Sequence, residues 1–293
     1  MDVSRDVEEH TGGAGGGPRP AGPPPDAAGW ADAVGARHGR ADAGARIVCL
    51  VPSITELLFD LGVGDRLVGR TGFCIHPRDR VRALPKLGGT KDVKLDALRG
   101  LAPTHVIVNI DENRRDTVED ISRFVPNVIV THPCAPEDNL ALYALLGGIF
   151  DCEAAATSLS VSLQTALAEA AELRAALVPE RVLYLIWREP WMTVSSATYI
   201  AAMLAAVGWE SMPRAPEPRY PVVDWEDASM ADVARVFLSS EPYRFGPAHV
   251  GEVGALASRP AMLIDGEMCS WYGSRAIAGV RYLTALRRRL AKG

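Results

Sequence analysis

Residues 46–61 read RIVCLVPSITELLFDL. The apolar run Ile47-Val48-Cys49-Leu50-Val51 is short and continuous, as expected of a strand covered on both faces. Pro52-Ser53-Ile54-Thr55-Glu56 follows at once. Ser53 and Glu56 have the spacing of a capping box, so a helix is predicted to start there and to end at Gly62 and Gly64. A buried strand leading straight into a helix is the first half of a β-α-β unit. Further strand-like runs at 66–69, 105–109 and 127–131 alternate with helical stretches at 95–101 and 116–124. That alternation predicts a parallel sheet with helices on its faces.

Beyond residue 138 the texture changes. Apart from the interruption at Gly147-Gly148, residues 139–177 are rich in Ala, Leu and Glu, and Pro179 closes the stretch. Residues 152–177 contain no Gly or Pro and as one helix would span about 39 Å at 1.5 Å per residue. That is the width of a domain, so the helix is expected to be a spine between two lobes. Strand and helix then alternate again, with strands at 181–187, 235–239 and 261–265 and helices at 198–207 and 274–290. The basic end of the last helix, Arg287-Arg288-Arg289 with Lys292, complements the negative pole of a helix dipole. The expected fold class is α/β, with two Rossmann-like lobes of parallel sheet at 46–151 and 180–293, a spine at 152–179 and a ligand cleft between the lobes.

Residues 1–45 hold ten of the 27 glycines and five of the 21 prolines of this 293-residue chain, with few bulky aliphatics. Such a segment buries too little surface to offset chain entropy, so it is expected to be a disordered extension. It has no apolar run behind positive charge, and no later stretch has 18 uninterrupted apolar residues, which suggests a soluble, cytoplasmic protein. With 31 Lys and Arg against 36 Asp and Glu, there is no polybasic footprint for nucleic acid or an anionic membrane. Five cysteines without a CxxC do not form a disulfide framework and suit a reducing compartment.

Open parallel sheets bind ligands beyond the carboxyl ends of their strands. The segments there carry Phe73, Trp191, Tyr243, Phe245, Trp271 and Tyr272, with Arg and Glu between them. An aromatic mouth of this kind suits a large flat ligand with polar edges. Each ring could equally seal the edge of a lobe.

Residues 46–61, followed by GVGDRLVGRTGFCIHP (62–77) and LPKLGGTKDVKLDALRGLAPTHVIVNIDENRRDTVEDI (84–121), resemble the substrate-binding proteins of cobalamin and iron-chelate ABC transporters. More closely they resemble the leaderless branch known as helical-backbone metal receptors. The second lobe, ending in SWYGSRAIAGVRYL (270–283), agrees with the likeness. The resemblance implies a corrinoid such as cobalamin, or another metal chelate, held between the lobes, with an ABC permease as partner. Carried over by position, the ligand-binding residues are Pro52, Ser53, Phe73, Cys74, His76, Lys91, Glu112, Asn113, Trp191, Trp271 and Tyr272; the aromatic reading adds Tyr243. Family members dock on the permease through one acidic residue per lobe. Asp96 stands at the first position, and the second falls between Ala231 and Asp232.

Cys74-Ile75-His76 and His132-Pro133-Cys134 could each present a thiolate and an imidazole to one side of extended chain. Together they would form a Cys2His2 ion site. A single axial ligand from His76 to chelated cobalt or iron is the simpler metal reading, and a hydrogen-bonded loop histidine is the plain one. Glu112 and Asn113 could meet amide edges of the ligand, with Lys91 facing carboxylates, or could instead cap the following helix. No GxSxG, GxxxxGK[ST], HExxH or correctly placed GxGxxG occurs. The chain is therefore expected not to be an enzyme and to need no catalytic cofactor; the alternatives are a cytosolic enzyme acting on a corrinoid or nucleotide-like substrate, or a protein that binds a metal ion directly.

Overall fold

The computed structural model describes residues 29–292. It begins with a hairpin, β1 (Trp30–Ala31) and β2 (Arg37–His38). The first lobe then runs β3 (Ile47–Cys49), α1 (Pro52–Asp60), β4 (Leu67–Arg70), α2 (Arg78–Val81), α3 (Leu95–Gly100), β5 (His105–Asn109), α4 (Arg115–Ser122), β6 (Asn127–Thr131) and α5 (Asn139–Ile149). Its four strands are parallel in the order β4-β3-β5-β6. Every residue of β3 and β5 is buried, as the continuous apolar runs require.

The chain crosses to the second lobe through α6 (Glu153–Ala176), whose 24 residues make one unbroken helix. Its buried side is a narrow stripe of Ala156, Leu163, Ala166 and Ala170, small enough to let α5 and α10 lie close. The second lobe contains β7 (Glu180–Trp187), β8 (Met192–Thr193), α7 (Tyr199–Ala206), β9 (Trp209–Met212), β10 (Arg235–Ser239), α8 (Pro247–Ala257), β11 (Ala261–Ile264), α9 (Glu267–Ser270) and α10 (Arg275–Leu290). In its sheet β11, β10 and β7 run parallel, β9 pairs parallel with the first half of β7, and β8 pairs antiparallel with the second half. One core runs through both lobes, from Ile47, Leu57 and Tyr143 to Tyr184, Trp209 and Phe237. Each lobe has a separate outer cluster, around Val106 and Ile121 in the first and around Val236 and Val253 in the second.

Four expectations need correction. Of the extension expected to be disordered, residues 1–28 lie outside the described residues, but 29–45 are built into the first lobe. Buried Asp32 accepts hydrogen bonds from the backbone of Val34, Ala36 and Val130, and its Oδ2 lies 3.1 Å from His38 Nε2. Ala33 also donates to the Val130 carbonyl, so the hairpin is fastened to β6 by polar contacts that aliphatic content does not register. Second, Ser53 is not the cap of α1. Val51 holds that position without a side-chain bond, Pro52 takes the first helical turn, and Ser53 sits inside the helix. Third, Gly147 and Gly148 do not interrupt a helix but lie within α5. A Cβ on Gly148 would come within 2.0 Å of the Trp30 indole and one on Gly147 within 2.6 Å of Ala156, so both glycines serve close packing. Fourth, Arg287 belongs to an ion-pair network rather than to a solvated helix end. It is buried and meets Glu180, which also receives Arg235 at 2.6 Å and the Trp209 indole at 2.9 Å. The short strands β8 and β9, the hairpin and the helices α2, α8 and α9 were not expected.

Candidate functional site

A cleft of about 340 Å³ lies where the strand ends of the two lobes meet. The first lobe supplies Pro52 and Ser53 from the start of α1, Gly72, Phe73 and Ile75 from the loop after β4, and Glu112 from the loop after β5. The second lobe supplies Glu241 from the loop after β10 and Ser270, Trp271 and Tyr272 from the end of α9. Six of the residues expected from the sequence therefore share one cavity: Pro52, Ser53, Phe73, Glu112, Trp271 and Tyr272. Phe73 stands 62 % exposed, an uncommon state for a phenyl ring and one that suits a contact surface.

The polar floor joins the lobes. The Tyr272 hydroxyl donates to Glu112, and Ser53 Oγ, buried near that hydroxyl, completes no hydrogen bond. Burial is the main influence on Glu112 and lifts its carboxyl to about 7, with Asp111 and Glu241 adding to the rise against the Tyr272 bond and Lys91. Burial and the neighbouring Glu112 keep the Tyr272 phenol far above its ordinary range. Glu241 is also raised by burial, although Ser270 Oγ at 2.5 Å and the Trp271 indole at 3.0 Å both donate to its Oε1.

The turn carrying Trp271 and Tyr272 is clamped to the first lobe. Gly273 donates its N–H to Asn139 Oδ1 at 2.6 Å, and its carbonyl accepts from the Tyr143 hydroxyl at 2.8 Å. Asn139 in turn donates to the Tyr199 hydroxyl at 3.1 Å, and the Tyr199 ring meets Tyr272 edge to face. Gly273 has φ +73°, and a Cβ there would sit 3.1 Å from the Ser53 carbonyl. Ion pairs also cross between the lobes: Arg275 holds Glu56 through bonds of 2.6 and 2.7 Å, and Arg219 holds Asp111 through bonds of 2.5 and 3.0 Å. Burial works against ionisation of Asp111, yet Arg219 and His132 keep its carboxyl below the usual range.

The other expected residues are placed differently. Cys74 turns inward: its Sγ accepts from Thr55 Oγ1 at 3.0 Å, and burial pushes the thiol up. His76 meets Glu267 through Nε2 at 3.0 Å and Trp271 edge-on, so this nitrogen is already held by a carboxylate. Lys91 donates to the Asp111 carbonyl at 2.7 Å. Asn113 is spent on backbone, accepting from Asn109 N–H and donating to the Thr90 carbonyl. Trp191 and Tyr243 belong to an aromatic cluster of the second lobe, Trp191 stacked on Phe245 and Tyr243 packed against Phe245 and Trp187. The Cys2His2 reading is corrected, because Cys74 is committed to the core while His132 and Cys134 face Asp111 and each other. Among the described residues no group of three or more His, Cys, Asp or Glu could hold a metal ion.

Glu241 and Ser270 were missed as individual candidates. Both follow strand ends by a few residues, so the strand-end rule that selected their loops could have selected them.

Comparison with known proteins adds the family context. The periplasmic binding protein family model matches residues 47–262. No curated protein matches the chain. Among solved structures, the periplasmic vitamin B12 binding protein BtuF of Vibrio cholerae aligns with a TM-score of 0.72 at 16% identity, covering 85% of this chain and 98% of that one. The periplasmic heme-binding protein RhuT from Roseiflexus sp. RS-1 gives 0.70 at 20% identity, covering 84% and 99%. The periplasmic heme-binding protein HutB of Vibrio cholerae gives 0.67 at 20%, covering 83% and 99%. At these identities the likeness is one of fold, two α/β lobes with a cleft between them.

Proposed function

The chain belongs to the periplasmic binding protein family, and from that membership we propose that it is a binding protein, not an enzyme, which takes a corrinoid or another metal chelate between its lobes and hands it to an ABC transporter. The observation that carries the proposal is the cleft itself, built from the strand ends of both lobes, with exposed Phe73 on one side and Trp271 on the other. The solved structures of similar fold bind vitamin B12 or heme, which supports a flat metal chelate as the ligand class. In this reading the ring face of the chelate lies against exposed Phe73 while one polar edge reaches Glu112 and Glu241.

Delivery to a permease is supported by Asp96, fully exposed on α3 and only loosely paired with Arg99 at 3.7 Å; Asp232 in the second lobe is engaged by Arg181. The five free cysteines suit a reducing compartment such as the cytoplasm, whereas delivery to an import permease calls for the compartment outside it; recovery of the full chain only from cytoplasmic fractions would remove the delivery and leave the chelate binding. The ligand class is tested by titrating the purified protein with cyanocobalamin and with hemin, following chelate absorption and tryptophan fluorescence. At least one should bind with a spectral shift and remain bound through gel filtration, and Trp271→Ala should weaken it about tenfold or more. Binding of neither would sink the proposal.

A further inference from the structure

The polar side-chain groups inside the cleft are three hydroxyls, two carboxyls and one indole N–H: Ser53, Ser270, Tyr272, Glu112, Glu241 and Trp271. Among the described residues no Lys, Arg or His lines it. Three of the basic residues around it are already engaged. Arg275 holds Glu56 and lies 3.0 Å from Glu267, His76 holds that same Glu267, and Lys91 donates to a backbone carbonyl. Arg78, Arg82 and Lys86 line a neighbouring pocket that shares Gly72 and Ile75 with the cleft but neither carboxyl.

Two features show that this acidic floor is open to a ligand. Both bonds accepted by Glu241 fall on Oε1, so Oε2 carries neither. Ser53, a cavity-lining residue only 3 % exposed, has its Oγ close enough to the Tyr272 hydroxyl to influence that phenol, yet the atom completes no hydrogen bond of normal geometry. A buried polar atom without a partner is costly, and a ligand that supplies one recovers that cost. Carboxylate oxygens call for N–H or O–H donors and repel a second carboxylate in the same poorly solvated space.

We infer that Glu112 and Glu241 make the cleft selective for chelates edged with neutral donors, the carboxamides of a corrinoid, and against chelates edged with carboxylates, such as heme with its two propionates. The inference rests on the chelate-binding reading above and names the ligand class within it. Carboxamides carry both an N–H to donate to Glu241 Oε2 and a carbonyl to accept from Ser53 Oγ, so an amide-edged ligand can supply the partner that each group lacks. A propionate in the same place would face two carboxyls, with no cation in the cavity wall and with Lys91, whose charge Glu112 feels, turned to the Asp111 carbonyl, which is rejection by repulsion as well as by lost bonds.

The test uses two probes with the same ring and different edges. Dicyanocobinamide carries amides, and dicyanocobyrinic acid carries carboxylates in their place. Calorimetric titration of the full chain at pH 8, above the value of about 7 to which the Glu112 carboxyl is lifted, with hemin as a third probe, should give the amide-edged corrinoid an advantage of about tenfold or more over both others. Glu241→Gln should shrink the advantage over the acid several-fold by admitting the carboxylates, and Glu112→Gln should act in the same direction. Equal binding of the two corrinoids, tighter binding of hemin, or discrimination unchanged in both variants would overturn the selectivity while leaving chelate binding intact. Failure of all three probes to bind would instead remove the chelate reading, and the selectivity with it.

Discussion

Glu112 is the residue whose environment differs most from what its position in sequence suggests. In DENRR it reads as one acid among several before a helix, whereas the fold buries it under Tyr272 from the other lobe. Its carboxyl is lifted from the ordinary 4.5 to about 7, so between those values the folded chain holds more protons than the unfolded one. The stabilising effect is whole below pH 4.5 and is lost as pH rises to about 7, a swing of about 2 kcal/mol once partial contact with water is allowed for. Glu112→Gln removes the titration. In urea melts the variant should gain about 2 kcal/mol relative to the parent between pH 4.5 and 8, and an unchanged difference across that range would show that the carboxyl is ionised throughout. The Tyr272 contact could not be read from sequence because its partners are 160 positions apart. The strand-end rule located each residue, and only the fold brought them together.

At the level of elements, the turn after α9 matters most. Gly273 has φ +73° and lies against the Ser53 carbonyl and the Leu57 side chain. Gly273→Ala adds both left-handed strain and a close contact, so it should destabilise by about 2 kcal/mol and also loosen Trp271 and Tyr272. A urea midpoint equal to that of the parent would contradict this. The sheets themselves were legible: β5 and β6 occupy their expected residues, and α6 differs from expectation by one residue at each end, because continuous apolar runs and a stretch free of Gly and Pro leave few alternatives. The hairpin at 29–38 was not legible, since Asp32 and Trp30 hold it through contacts with β6 and α5 that a segment poor in aliphatics does not advertise. Trp191 and Tyr243 lie in an aromatic cluster outside the cavity for a related reason. Aromatic residues on strand-end loops can pack on one another as readily as on a ligand.

For the whole molecule, α6 and the shared core limit how far the lobes can move. An unbroken helix lacks the loop residues that absorb large dihedral changes, so ligand uptake should involve a small parting of the lobes rather than a wide hinge. Small-angle scattering of the full chain with and without bound chelate should show little change in radius of gyration, and a large change would refute the rigid link. The Asp111–Arg219 pair is the contact to release first, being about a third exposed on each side. Its contribution to stability should be about 1 kcal/mol or less. Arg219→Ala should therefore speed chelate association in stopped-flow while barely altering the urea midpoint; an unchanged association rate would show that the pair does not restrain entry.

The distribution of sulfur supplies a way to watch that movement. Cys49, Cys74 and Cys269 are buried, with burial holding their thiols in the neutral form, and Cys152 is half-buried with its thiol pushed up to about 11. Cys134 alone is exposed, and it lies beside His132 and near Asp111, at the edge of the Asp111–Arg219 contact. The native chain should therefore take up one maleimide fluorophore in the time the unfolded chain takes up five, as counted by intact mass. Equal uptake at Cys152 would show that α5 and α6 part readily. A dye on Cys134 needs no engineered cysteine and would report in real time on whether the lobes separate before the ligand arrives or only once it has.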